Sequence, residues 1–171
     1  VVRETVRGLD RSHPVSVMSG SLRSAGLLPY RVTTGLELLV CHPGGPYFAR
    51  KDNGWWSIVK GIVEPDESDR EAAGREFREE TGWEPPTEPW IELGETTLKS
   101  RKVVVAFGVE SDLDPETMVP GMFTMGDRRY PEIDRVEWMT PDRACVKLNP
   151  ALAVFVDRLR SHLYGVGNNP R

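Results

Sequence analysis

Apolar residues along this chain fall into short blocks separated by turn-forming clusters, and the blocks predict alternating strands and helices. Residues 24–32 read as a strand, with Gly26 interrupting it and Pro29 suggesting an edge position or a bulge. Residues 36–42 make a second strand, closed by Pro43-Gly44-Gly45-Pro46. Asp52-Asn53-Gly54 is another turn signal and leads into a short strand at 55–59. A charged segment at 69–81 has helical character, and Pro85, Pro86 and Pro89 break the chain after it. Strands are expected at 91–98 and 102–109. The stretch 110–131 shows little period, which predicts a long loop with a functional or mobile role. Alternation returns at 133–139. Thr140-Pro141 and Asn149-Pro150 are helix starts, and the last helix, ending near Tyr164, carries one apolar stripe of Leu152, Phe155, Val156, Leu159 and Leu163. Strands mixed with helices in this way predict an α/β sandwich with a sheet covered on both faces.

The ends lack such a pattern. Residues 1–21 are expected to be a poorly ordered arm, with a short helical turn at 1–9 and Met18-Ser19-Gly20 reading like a start of its own. Residues 166–171 are expected to be a tail, which leaves 22–165 as one domain. Apolar runs such as 36–41 and 103–107 are strand-sized and too short for a membrane span, and no secretory signal is evident. Cys41 and Cys145 are too few for a disulfide framework and have no ligand-spaced partners, which fits core thiols in a reducing cytoplasm. The net charge of −4 gives no general pull toward nucleic acid. The sequence leaves a homodimer open.

The chemistry is concentrated in residues 61–83. Ser68 with Glu71 three residues later forms a capping-box pattern, and Gly82 suits the left-handed position past the helix end. On the helix so bounded, Glu76, Glu79 and Glu80 fall within a roughly 100° arc. Ala73 and Phe77 lie beside that arc and can anchor the helix on a sheet. Like charges so placed repel, and Arg75 and Arg78 offset only part of the cost. A group of hard oxygen donors is what Mg²⁺ or Mn²⁺ requires, and a solvated acidic face is the competing meaning.

Residues outside that arc favour the metal. The segment resembles the Nudix box, Gly-x5-Glu-x7-Arg-Glu-U-x-Glu-Glu-x-Gly-U, with U a bulky aliphatic residue. Gly61, Glu67, Arg75, Glu76, Glu79, Glu80 and Gly82 all match. Such agreement arises by chance on the order of 10⁻⁸ per starting position. Phe77 and Trp83 depart from the pattern by standing at the U positions. The resemblance, which covers about residues 22–164, implies the Nudix α/β/α sandwich with a mixed β-sheet. It implies a MutT-like pyrophosphohydrolase in which Glu76, Glu79 and Glu80, with the backbone carbonyl of Lys60, hold Mg²⁺ or Mn²⁺. Glu67, Arg75, Gly61 and Gly82 then shape the box. One of the box glutamates, or an acid from another loop such as Glu132 or Asp134, takes the proton from water.

The substrate is expected to be a small phosphoanhydride, a nucleoside diphosphate linked to another moiety. Residues 56–61 resemble the Trp-x-x-Pro-Lys-Gly entry of dinucleoside polyphosphate hydrolases, with Val59 in place of Pro, but the Tyr that such enzymes carry after the box is missing. The proline that marks ADP-ribose hydrolases is absent, and the coenzyme A hydrolase pattern is not evident. The chain also resembles a bacterial group within the family that carries Ser-Ala-Gly-Leu-Leu, His-Pro-Gly-Gly-Pro and Pro-Glu-x-Asp-Arg, here at 24–28, 42–46 and 131–135. Candidate substrate contacts are Lys60, Trp56, Arg128 and Arg129, with Tyr47, Phe48 and Trp55 as further stacking surfaces, whereas His42 reads as structural. A Nudix-like module that binds a nucleotide without cutting it is the alternative.

Overall fold

A ten-residue strand, β1 (Arg23–Val32), is the spine of the sheet. The computed structural model describes residues 22–165, and the expected arm at 1–21 and tail at 166–171 lie outside them. Along one edge, β1 runs parallel to β5 (Val103–Glu110). Along the other it pairs antiparallel first with β3 (Val59–Ile62) and then with β2 (Leu36–Pro43). β4 (Ile91–Thr97) extends the sheet beyond β5, and β8 (Ile133–Met139) extends it beyond β2. The strand order is β4-β5-β1-β2-β8, with β3 beside β1, and it makes the mixed sheet that the resemblance implies.

Two details of β1 differ from that expectation. Pro29 does not mark an edge. It stands between the last β3 pair, Leu27 with Val59, and the first β2 pair, Tyr30 with Leu38. The Tyr30 carbonyl accepts from Ser111 N–H on the β5 side. Successive residues of a strand face opposite neighbours, so the proline nitrogen faces the gap where β3 gives way to β2 and no donor is missed. Gly26 is not an interruption either. A Cβ there would overlap the Val59 carbonyl, so its absence lets β3 lie close against β1.

Helices cover both faces. α1 (Asp69–Thr81) packs Ala72, Ala73 and Phe77 onto Ala25, Leu27, Val59, Val105 and Phe107. On the opposite face, α2 (Pro141–Lys147) and α3 (Ala153–Tyr164) close over Leu28, Leu38, Val40, Val104 and Ala106 with Ala144, Phe155, Val156 and Leu159. Alternation along β1 and β5 sends neighbouring side chains to the two cores in turn. A three-residue 3₁₀ turn, Pro150–Leu152, precedes α3, so that helix begins slightly later than its start signal. Thr140 stands at the N-cap of α2 without a side-chain cap bond.

The strand expected at 55–59 lies later. Trp56 and Ser57 make only isolated bridges, to Leu148 and Cys41, and the ladder proper begins at Val59. The long stretch 110–131 is also more ordered than its lack of period suggested. It contains a 3₁₀ turn at Pro115–Thr117 and a hairpin of β6 (Met122–Met125) and β7 (Arg128–Pro131). Four-residue strands are too short to display a period.

The connection from β3 into α1 is held by one ion pair. Arg75 donates through Nε to Glu67 Oε1 at 2.7 Å and through Nη2 to Glu67 Oε2 at 2.9 Å, and Nη2 also reaches the Ile62 carbonyl at 2.9 Å. Asp66, at φ 67°, makes the turn that brings Glu67 back. The Arg75 hydrogen bonds, followed by that from the Glu64 N–H, hold the Glu67 carboxyl down at about 2, below its ordinary 4.5. A depressed folded-state value contributes stability above the unfolded value, lost as the pH falls toward the folded one. Glu67→Gln is therefore expected to lower stability at neutral pH and to flatten the loss of stability between 4.5 and about 2. Urea unfolding across that window checks it, and an acid limb as steep as the wild type's would contradict the assignment.

Candidate active site

The box helix is set in place by its own ends. Ser68 Oγ accepts from the Glu71 N–H, Glu71 accepts from the Ser68 N–H at 2.9 Å, and Gly82 closes the helix at φ 72° with its N–H on the Arg78 carbonyl. Phe77 and the nearby Trp83 are both buried, so the two aromatic departures from the box pattern serve as anchors on the sheet. With Phe77 inward, the acidic arc lies toward β3 and Glu132.

Arg75 gathers the acids as well as Glu67. Its Nη1 donates to Glu76 at 2.8 Å and to Glu79 at 3.1 Å. The Glu76 carboxylate lies against the backbone at Gly61, where any Cβ would overlap it. This is the physical reason for glycine at that place: the carboxylate and the Lys60–Gly61 backbone must touch. Glu80 Oε2 accepts from the Lys60 N–H at 3.3 Å. Burial pushes the Glu80 carboxyl up to about 8, helped by the negative charges of Glu76 and Glu132 and opposed by the Lys60 ammonium and N–H.

Glu132 belongs to the same group of charges. Its carboxyl is also pushed up, first by burial and then by Glu76 and Glu79. The geometry that delivers it is a backbone relay at the end of α1. Val119 and Gly121 donate to the carbonyls of Thr81 and Glu80, and the Gly121 carbonyl accepts from the Glu132 N–H at 2.8 Å. A Cβ on Gly121 would strike the Glu132 carboxylate and the Glu79 carbonyl, so glycine is needed there too. Glu132 thus reaches the box from fifty residues away, through contacts that local sequence cannot show.

As placed, no three acidic, imidazole or thiol groups among the described residues close on one point at metal-ligand distance. Arg75 spreads Glu76 and Glu79, and Glu80 turns to the Lys60 N–H. The donor set nevertheless fits a hard divalent cation. It offers carboxylate oxygens only, crowded against one another, with one partly buried beside an open stretch of backbone.

Other candidates fall elsewhere. Trp56 is corrected: it is 1% exposed, donates through Nε1 to Asp52 at 2.8 Å and meets His42 edge to face, leaving no ring face for a base. Asp134 is engaged at 2.7 Å by Nδ1 of His42, which is fully buried, and Nε2 of that ring lies 2.7 Å from the Lys51 carbonyl. These two contacts tie β8 to the loop after β2. Tyr47 and Trp55 are exposed, but their rings already hold the Lys51 ammonium, at 3.2 and 3.8 Å from the ring centroids. Arg128 and Arg129 are exposed on β7 opposite Met125 and Thr124. Lys102 was not singled out by the sequence. Burial and the Lys60 charge push its ammonium below the ordinary lysine value, against the opposing pull of Glu80 and Glu76. Its only local mark is a charge at the head of an apolar strand.

The Nudix domain model matches residues 21–159. No curated protein matches the chain. Among solved structures, an Ap4A hydrolase from C. elegans in a binary complex is similar over 83% of this chain and 98% of its own, at 19% identity and a TM-score of 0.62. The MutT protein of Methanosarcina mazei Go1 matches over 86% and 99%, at 20% identity and a TM-score of 0.60. The NUDIX domain of Shewanella oneidensis NrtR, complexed with ADP ribose, matches over 90% and 94%, at 15% identity and a TM-score of 0.63. These likenesses show the fold, and the domain match, together with a box that keeps all its carboxylates on one arc, shows that the chain belongs to the Nudix family of pyrophosphohydrolases.

Proposed function

We propose that this chain hydrolyses a diphosphate linkage in a nucleoside diphosphate joined to another moiety, a nucleotide or dinucleoside polyphosphate being the leading class. The observation that carries the proposal is the gathering of Glu76, Glu79, Glu80 and Glu132 at one edge of the sheet, beside a backbone kept bare by Gly61. Glu76, Glu79 and Glu80, with the Lys60 carbonyl, would hold Mg²⁺ or Mn²⁺, which when bound would polarise the phosphates and take up charge on the leaving group.

The chain's own residues divide the remaining work. Arg75 fixes Glu76 and Glu79 against their mutual repulsion and keeps them aimed along one side of the helix. Glu132 faces the group from the hairpin base and, with a carboxyl raised by its acidic neighbours, is suited to take a proton from the attacking water. Arg128 and Arg129, on the hairpin rooted at Glu132, would receive the outer phosphates. Cys41 and Cys145 are free thiols, and no helix among the described residues is long and apolar enough to cross a membrane. A cytoplasmic place suits the free thiols.

A binding module without turnover is the second reading, since the NrtR domain of like fold is seen with ADP ribose. The retained acids favour the enzyme. Glu79→Gln separates the two. As an enzyme residue, its loss is expected to lower Mg²⁺-dependent phosphate release by a factor of roughly 10² or more while melting stays near wild type. Unchanged turnover would remove Glu79 from the metal site, and no turnover in the wild type across nucleotides, dinucleoside polyphosphates and nucleotide sugars would favour the binding module. Replacing Arg128 and Arg129 together with Ala is expected to raise KM several-fold and weaken its salt dependence with kcat little changed. Steady-state kinetics at two ionic strengths check this, and an unaltered KM with an unaltered salt response would leave the arginines without a phosphate role.

A further inference from the structure

The loop between β2 and β3 gathers aromatic rings around a charge. Tyr47, Phe48 and Trp55 surround the ammonium of Lys51, whose Nζ stands 3.2 Å from the Tyr47 ring centroid, 3.8 Å from that of Trp55 and 5.8 Å from that of Phe48. Ring faces meet this charge in place of the neighbouring acid, since the Asp52 carboxylate accepts from Lys147 and from Trp56 Nε1. Tyr47 is 61% exposed and Trp55 42%, so the group opens to solvent.

The rings do not form a slot for a flat base. Tyr47 meets Phe48 at 89° and Trp55 at 77°, and Phe48 meets Trp55 at 60°, with centroids 4.9 to 6.2 Å apart. A stacked base needs ring faces parallel to its own. Three faces inclined in this way wall a corner that suits a rounded cation. The backbone holds the corner in shape. Phe48 and Lys51 donate to the carbonyls of Gly45 and Phe48, Trp55 donates to that of Asp52, and Gly54 donates to those of Val146 and Lys147. The Lys51 carbonyl lies 2.7 Å from Nε2 of His42. Lys51 is thus fixed by its backbone, and its side chain can leave the rings while they stay in place.

The lysine is also the weaker kind of occupant. A primary ammonium has three N–H donors and is strongly hydrated, so it gives up water contacts on entering the rings. An N-trimethylated ammonium has no such donors to lose, and it is the cation that aromatic cages recognise. The corner stands close to the acids. Gly44 donates to the Glu132 carbonyl at 2.9 Å, and Tyr47 is three residues on, within about 11 Å of Gly44 along the chain.

We propose that Tyr47, Phe48 and Trp55 form a cage for an N-trimethylated ammonium group, filled by Lys51 until such a ligand displaces it. This rests on the hydrolase reading and narrows it to a nucleoside diphosphate esterified to an N-methylated amino alcohol. In its hydrolysis the water oxygen joins one phosphorus and the bridging oxygen leaves with the other. The products are a nucleoside monophosphate and the phosphate monoester of the amino alcohol, and the water protons pass to the acids and then to solvent. The competing role for Lys51 is a fixed surface contact.

Titration with phosphocholine and with its unmethylated counterpart phosphoethanolamine, followed by the indole NMR signals, distinguishes these roles. The wild type is expected to bind phosphocholine about ten-fold more tightly than phosphoethanolamine. Trp55→Ala and Tyr47→Ala are each expected to abolish that preference. Tyr47 is the more exposed of the two, so its variant, checked by thermal melting, is expected to keep its fold even where Trp55→Ala is less stable. Lys51→Ala empties the cage and is expected to tighten phosphocholine binding about three-fold. Equal affinity for the two probes in the wild type, or a preference that survives both ring substitutions, would overturn the cage. Unchanged phosphocholine affinity in Lys51→Ala would make the lysine a surface contact and overturn the exchange. Failure of the hydrolase reading shows separately, as a wild-type protein that prefers phosphocholine but turns over neither the cytidine diphosphate ester of choline nor any other nucleotide.

Discussion

One guanidinium holds the site together. Arg75 has donors enough for Glu67, Glu76, Glu79 and the Ile62 carbonyl, and it meets all of them. Without it, three glutamates within one helical arc would repel each other, and the loop between β3 and α1 would keep only the capping box at Ser68 as its tie to the helix. Lysine could not replace it, because its ammonium is a point charge and cannot span acids in several directions. The placing of Glu76 against Gly61 follows from the same contact.

The second constraint is the sheet's arrangement around β1. By pairing with β3 along its first half and β2 along its second, β1 leaves β3 short and open at one side. That opening gives the acids of α1 access to backbone at Lys60 and Gly61. A strand that met a single partner along its whole edge would have no such opening, and Pro29 sits where the partners change.

Much of this could be read from residue order, and the limits have physical causes. Ser68, Glu71 and Gly82 act within a few residues of one another, so the bounds of α1 were legible, as was the stripe on α3. Glu76, Glu79 and Glu80 were legible as an arc because a helix fixes their angular spacing. The hairpin at 122–131 was not, since its strands are short and its role comes from contacts with the end of α1. Trp56 misled for a related reason: an indole beside Lys60 looks available to a base until the fold packs it on His42. Lys102 was not legible either, because the burial and charges that act on it come from residues far away in the chain.

The hairpin hangs from two fixed points. Gly121 is bonded to the last turn of α1, and Glu132 is bonded to Gly121 and, through its own carbonyl, to the Gly44 N–H. Everything between those points lies outside the bonds that place Glu132. The outer part of the hairpin, residues 124–129, can therefore be lengthened, shortened or exchanged while the acid keeps its position, whereas Phe123 and Pro131 pack on Gly45 and Gly44. In evolutionary terms the chain separates the part that cuts from a part that is free to diverge, and new preferences can arise at the hairpin without rebuilding the chemistry beneath it.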